Sequence, residues 1–323
     1  MIISRKHRYI FLHCRKTAGS SICVSLARDL GEDEVILSAL GETREFGIPL
    51  PQRMLDDARA ELKETGKLKH RLRASGLRGK TMQGRMRKKL LLQRYRRLMN
   101  EQQPQHAWAS SMAEHFPDDW AAFPKICVVR NPWTKMVSDY FWRTREMPTR
   151  PEFADYVAAI ERGDHLGGHV HLRSAMYTID DQIIADHVVR FENLLPGLTD
   201  TLAALNIPFD GWLPRAKGDH RPKTGKKADP RSFYTPELRD TVGRMFEKEI
   251  NAFGYTFEAV TSASDRRRSV APVRYSAANA APGNRRRRRA SDPATARNSG
   301  ISGRHSHGRP RQWLVRSCPR IAP

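Results

Sequence analysis

The sequence predicts an α/β fold with a mostly parallel central sheet between helical layers. Three observations predict it. Apolar runs of strand length recur at 8–13, 125–129 and 187–191. Each runs into a polar turn, and each turn into apolar residues at helical spacing. The alternation of strand and helix, with no internal repeat, is the pattern of a three-layer domain with parallel strands.

The first unit is the most informative. Ile10, Phe11 and Leu12 close a strand, the chain continues HCRKTAGSS over 13–21, and Ile22, Leu26 and Leu30 mark a helix over about 19–30. Arg15 and Lys16 are basic, Thr17, Ser20 and Ser21 carry hydroxyls, and Ala18 and Gly19 are small. Such a turn gathers backbone N–H groups at a helix N-terminus, where partial positive charge favours a phosphate or sulfate. Lys16 and the hydroxyls add charge-assisted donors. It is not a Walker A loop, GxxxxGK[ST], because Lys16 precedes Gly19 by three residues. By itself the stretch also fits an ordinary strand-to-helix connection.

Residues 52–103 read as a helical insertion. Met54, Leu55, Ala58 and Leu62 define one amphipathic helix, and Leu90, Leu91, Leu92, Tyr95, Leu98 and Met99 another. Gly66, Gly76, Gly79 and Gly84 loosen the part between. A helix over 106–115, opened by His106, leads to the strand at 125–129. Arg130 stands at the C-terminal end of that strand, where ligands bind in open α/β sheets. Asn131 and Pro132 open the next helix, over 133–145, and Ser138 lies about two turns along it, so Arg130 and Ser138 can reach one phosphate; taken separately, they also fit a structural ion-pair partner and a solvated helix residue. A helix follows at 151–161. After the strand at 187–191 come a helix over 193–204, with Leu194, Leu198 and Leu202 inward, and a last helix capped by Thr235 and begun at Pro236. Its apolar stripe is Leu238, Val242, Phe246 and Ile250.

RKTAGSS (15–21) and VVRNPWTKMVSDY (128–140) together resemble the paired nucleotide motifs of the sulfotransferase superfamily, in the carbohydrate sulfotransferase branch and its bacterial relatives. HVVRFENL (187–194) and FYTPELRDTVGRMFEKEINAFGYTF (233–257) resemble two later family segments, in family order. The resemblance implies a three-layer, P-loop-like sulfotransferase fold over 1–260. It also implies 3′-phosphoadenosine 5′-phosphosulfate as co-substrate, with no metal. Arg15, Lys16, Thr17, Ala18, Gly19, Ser20 and Ser21 then hold the 5′-phosphosulfate, with Lys16 stabilising the leaving phosphate, while Arg130 and Ser138 hold the 3′-phosphate. The basic loop 214–230 resembles the segment that closes over the nucleotide, with Arg221 first among its contacts and Lys223 and Lys226 next. His106 is the expected general base. His115, Glu114, Asp118 and Asp119 are lesser alternatives, and His169 and His171 fit loop structure or acceptor contact. The chain departs from the common pattern at Arg15, where many members have Pro, and at Ser20, where Thr is usual.

Composition bounds the rest. The net charge is +22 over 323 residues. Residues 262–323 hold 15 Arg against 2 Asp, and residues 53–100 hold 16 Lys and Arg against 4 acids, so two appendages account for the basicity and the enzyme-like core is near neutral. The tail, 261–323, with RRRRR at 285–289, has too few large apolar residues to offset its ordering entropy and reads as disordered. Insertion and tail are candidate contacts for an anionic surface; the tail also fits a solvated extension and the insertion a solvated basic face or a shaper of the acceptor site. No apolar run is long enough to span a membrane, and no signal peptide is evident, so the expectation is a cytoplasmic location, with a membrane-peripheral one as the alternative. Cys14, Cys23, Cys127 and Cys318 lack metal-ligand spacing and read as reduced thiols. The expected acceptor is a hydroxyl of a glycan or glycolipid. The alternatives are a nucleotide-dependent phosphotransferase, which lacks the Walker A spacing, and a nucleic-acid-binding protein on a degenerate enzyme scaffold.

Overall fold

The computed structural model describes residues 1–65, 80–164, 174–217, 229–258 and 273–274. The chain divides into two compact units, Met1–Asn279 and Ala280–Pro323, of which the second lies outside the described residues. Strands β1 (Ile2–Ser4), β2 (Tyr9–Leu12), β3 (Val35–Ile36), β4 (Lys125–Val129), β7 (His187–Arg190) and β8 (Val273–Arg274) form one sheet in the order β3-β1-β2-β4-β7-β8. A separate two-stranded ribbon is made by β5 (Thr178–Ile179) and β6 (Gln182–Ile183). The β2–β4 and β4–β7 pairs are parallel, whereas β1 pairs antiparallel with β2 and β3, and β8 antiparallel with β7. The fold is therefore mixed α/β, with its parallel strands at the centre of the sheet.

The strands at 9–12, 125–129 and 187–190 stand where the apolar runs place them. The hairpin partner β1 escapes sequence reading because Ser4 and the basic residues after it mask a three-residue apolar run. It is nevertheless fully buried, and Glu34 accepts the amide of Lys6 and the hydroxyl of Ser4, tying the hairpin to the approach to β3.

The helices are α1 (Gly19–Leu26), α2 (Leu40–Glu45), α3 (Gln52–Thr65), α4 (Lys80–Leu98), α5 (Ala109–His115), α6 (Pro117–Ala122), α7 (Pro132–Arg143), α8 (Phe153–Glu161), α9 (Leu194–Ala204), α10 (Pro236–Met245) and α11 (Glu247–Phe253). The expected helix over 106–115 is corrected. His106 ends a short 3₁₀ turn, Pro104–His106, and Pro117 restarts the chain as a second helix, α6. The last helix divides at Phe246, which is buried like Val242 before it. Thr235 caps α10 as expected, accepting from the Leu238 amide at 3.3 Å.

The insertion is a helical pair. Met54 and Ala58 of α3 and Leu90, Leu91, Tyr95 and Met99 at α4 are buried together. Tyr95 donates to Asp57 at 2.6 Å, and Arg94 pairs with Asp57 at 3.1 Å. Gly84 is not a connector, as expected, but lies inside α4. Gly66, Gly76 and Gly79 lie outside the described residues, as does the 261–323 segment apart from β8. Cys14, Cys23 and Cys127 are buried and free; Cys318 is outside the described residues.

A partly exposed polar lock joins the C-terminal segment to the sheet. Glu192 accepts the Asn131 amide at 2.8 Å and the Tyr255 hydroxyl at 3.4 Å. Asn131 Nδ2 donates to the Thr256 carbonyl at 2.9 Å, and Arg190 donates to the Phe253 carbonyl. Deeper in, Lys135 of α7 pairs with Glu249 of α11 at 3.5 Å, and Tyr177 donates to the same carboxylate at 2.6 Å. Among the described residues, no helix is long and apolar enough to cross a membrane.

Candidate anion-binding site

Parallel pairing sets the site. Leu12 of β2 lies opposite Cys127 of β4, so the turn after β2 and the turn after β4 emerge at the same edge of the sheet. The first turn runs from His13 to Ala18. Lys16 and Ala18 both have a φ of 62°, in the left-handed region. Non-glycine residues held there cost of order 1–3 kcal/mol each and cluster where a turn is shaped for a ligand. Thr17 Oγ1 cross-links the turn by donating to the Cys14 carbonyl at 3.0 Å.

Ala18 is the N-cap of α1 and supplies no side-chain cap. The ladder begins with the Ile22 amide on the Ala18 carbonyl at 3.1 Å, leaving the amides of Gly19, Ser20 and Ser21 ahead of it. A helix start of this kind suits an anion. Gly19 is glycine for a packing reason. A Cβ there would lie 1.9 Å from Cδ2 of His13, whose ring covers the position.

Arg130 ties the second turn to the first. Its Nη1 donates to the Lys16 carbonyl at 3.0 Å and its Nε to Thr134 Oγ1 at 3.0 Å, while the guanidinium lies 4.1 Å from the Phe191 ring centre. Ser138 lies one turn beyond Thr134 on the same face of α7 and is half-buried. Arg15 donates to Gln103 Oε1 at 2.8 Å. Lys16 carries its ammonium 4.7 Å from the centre of the Trp142 ring, which Arg145 and Lys217 approach at 4.0 and 5.5 Å.

The electrostatics follow from this crowding. Burial lowers the Lys16 ammonium to about 7; Asp139 opposes that shift, and Arg130, Arg15 and Lys217 add to it. Asp139 is the counter-charge beneath the loop. It is fully buried, and its Oδ2 accepts from Arg143 Nε at 2.8 Å and from the Tyr156 hydroxyl at 2.6 Å. Its Oδ1 has no hydrogen-bond partner among the described residues. Burial, and then Asp139, push the Tyr156 phenol far up, so it remains a donor.

His106 reaches the same loop. Its Nδ1 lies 2.9 Å from the His13 carbonyl, and the two imidazole rings are 4.4 Å apart. A carbonyl only accepts, so Nδ1 carries the proton and Nε2 keeps its lone pair. Burial, then the Arg15 charge, lower His106 to about 3. Burial and the neighbouring His106 likewise hold His13 well below its ordinary value. Both rings are therefore neutral at pH 7.

The other named residues fall into two groups. Ser20 is buried, and Ser21 Oγ accepts the Ala216 amide at 3.3 Å. Ser25 donates to the Trp212 carbonyl at 2.7 Å, and Lys217 pairs with Glu42 at 3.1 Å. The segment 212–217 thus lies along α1 and leads into 218–228. Arg221, Lys223 and Lys226 lie outside the described residues, as do His169 and His171. Asp119 is taken up by Arg5 at 2.6 Å, and His115 packs edge-on against Phe116.

Sequence reading missed His13, Asp139, Trp142, Arg143 and Tyr156. The signal for Asp139 was present: an acid among the apolar residues of α7, with Arg143 one turn later. Among the described residues, no group of three or more His, Cys, Asp or Glu is placed to hold a metal ion. No family model, curated protein or solved structure matches the chain.

Proposed function

We propose that the protein is a sulfotransferase that moves a sulfuryl group from 3′-phosphoadenosine 5′-phosphosulfate to a hydroxyl of a carbohydrate or glycolipid. The observation that carries this reading is the bond from Arg130 to the Lys16 carbonyl. It joins the two basic turns in which the family resemblance resides.

The residues present fit a doubly anionic nucleotide. The uncapped start of α1, with Lys16, Thr17, Ser20 and Ser21, suits the 5′ end. Arg130 and Ser138 suit a 3′-phosphate, the group that separates this nucleotide from ADP and ATP. When bound, the co-substrate supplies an activated sulfuryl group on a phosphate leaving group. The protein's part is positioning, charge stabilisation and proton removal. Lys16 places a cation where negative charge develops on the leaving oxygen. His106 holds an Nε2 lone pair to take the acceptor's proton, its tautomer fixed by the His13 carbonyl. Its basicity is low in the ligand-free site, and neighbouring phosphate charge raises it, so His106 becomes a better base when the nucleotide is in place.

Calorimetric titration with 3′-phosphoadenosine 5′-phosphate, ADP and ATP tests the reading. Micromolar binding of the bisphosphate, weak binding of ADP and ATP, and a large loss in Arg130→Ala are expected. Equal binding of all three, or none, overturns it.

A further inference from the structure

The transfer reaction leaves one built surface unused. Where α2 and residues 46–50 meet the insertion, a cavity of about 240 Å³ is lined by Leu40, Ile48, Leu50, Arg44, Arg87 and Lys88. Among the described residues, its lining holds no carboxylate. Glycine at position 84 makes room for one of these cations. A Cβ there would lie 2.2 Å from Arg44 Nη1, so the mid-helix glycine, which costs about 1 kcal/mol against alanine, lets the guanidinium lie across α4.

Beside the cavity an aromatic pair faces water. Phe46 is 44% exposed and Trp212 36%, and their rings meet edge to face at 5.5 Å. Arg28 lies 4.9 Å from the Trp212 ring centre. Along α4, Arg85, Arg87, Lys88 and Lys89 are exposed. The acids nearby include Glu45, which is exposed beside Arg44, Glu42, which pairs with Lys217 at 3.1 Å, and Asp210, which pairs with Arg28 at 2.8 Å.

We propose that this patch docks the protein on a bilayer carrying anionic headgroups. Arg87, Lys88 and Lys89 meet the headgroup phosphates, and Phe46 and Trp212 enter the interfacial layer. Two observations favour a bilayer over a dissolved polyanion. The cations ring an apolar cavity instead of tracking a strand. Exposed aromatic edges gain free energy in a less polar medium, whereas a base stacking on Trp212 would have to displace Arg28, which lies 4.9 Å from its ring centre. Docking does not depend on the donor-site reading and is measured without any nucleotide.

The test is sedimentation of the full chain with vesicles of phosphatidylcholine, with and without phosphatidylserine, at physiological salt. Each basic residue near an anionic surface contributes roughly a fivefold gain in partitioning. Arg87→Gln/Lys88→Gln therefore lowers partitioning about thirtyfold on the serine lipid, and Phe46→Ser/Trp212→Ser lowers it as well. Both pairs are exposed or half-exposed, and circular dichroism checks that the fold is kept. Because the Arg-rich tail is present in every variant, the differences report the patch. Brominated acyl chains quench the parent's fluorescence, and Trp212→Phe removes part of that quenching while sedimentation is kept. Unchanged partitioning in both double variants overturns the proposal. So does loss in the Arg/Lys pair alone with competition by short single-stranded RNA, which would mark a polyanion site.

Discussion

Binding of a phosphate dianion at pH 8 should draw a proton out of solution, and Lys16 should be the residue that takes it. With the Lys16 ammonium lowered to about 7 by burial among cations, only about a tenth of the ligand-free protein carries that proton at pH 8. An anion beside the amine restores its ordinary basicity. Binding 3′-phosphoadenosine 5′-phosphate should therefore take up about 0.9 proton at pH 8; near pH 6 the Lys16 share falls to about 0.1, and the ligand's own phosphates, which titrate there, release protons against it. The sign follows from linkage: a bound state that holds more protons is favoured by acid, so affinity falls as pH rises through 7, nearing tenfold per unit above 8. Calorimetry in buffers of different ionisation enthalpy reads the uptake directly. Lys16→Ala should abolish it, and His106→Ala should leave it. Uptake near zero at pH 8 in the parent, or uptake that survives Lys16→Ala, refutes the argument that crowding discharges this lysine.

Three further outcomes follow from the geometry. Gly19→Ala drives a methyl into the His13 ring and should weaken bisphosphate binding at least about tenfold; adding His13→Ala should recover most of it in the same titration. Asp139→Asn breaks the buried pair with Arg143 and should cost about 3–5 kcal/mol in urea unfolding at pH 7; a midpoint unchanged from the parent would remove Asp139 from its place as counter-charge. His106→Ala should lower kcat by about 10²–10⁴ while bisphosphate affinity stays within a few-fold of the parent, and equal loss in both would make His106 a binding residue.

The site's skeleton was legible because each part left a local signature. The Lys16 turn and the Arg130 turn each follow an apolar run that can only be a buried strand, and parallel strands put their C-terminal turns at one edge. What was illegible is what packs from a distance. His13 looks like the last residue of a strand until its ring is seen against Gly19. Asp139 stands out as an acid among apolar residues, but its partner Tyr156 comes from the next helix and leaves no mark near it in the sequence. β1 is three residues long, too short for periodicity to report, and its burial depends on β2 and β3 on either side. His106 was read as a helix opening because nothing in the sequence marks the extended backbone at Ala107 and Trp108, which separates its 3₁₀ turn from the helix begun at Ala109.

The Glu192 lock gives the anion site a distant reporter. The Asn131 amide, next to Arg130, is held by Glu192, and Glu192 is held in turn by Tyr255 beyond α11. Deuterium exchange at that single amide therefore counts how often the C-terminal segment lifts from the sheet. A chain shortened before Tyr255 would exchange there quickly while the amides of β4 stayed protected. The residues proposed to grip the second phosphate would then be seen to draw their rigidity from the far end of the domain.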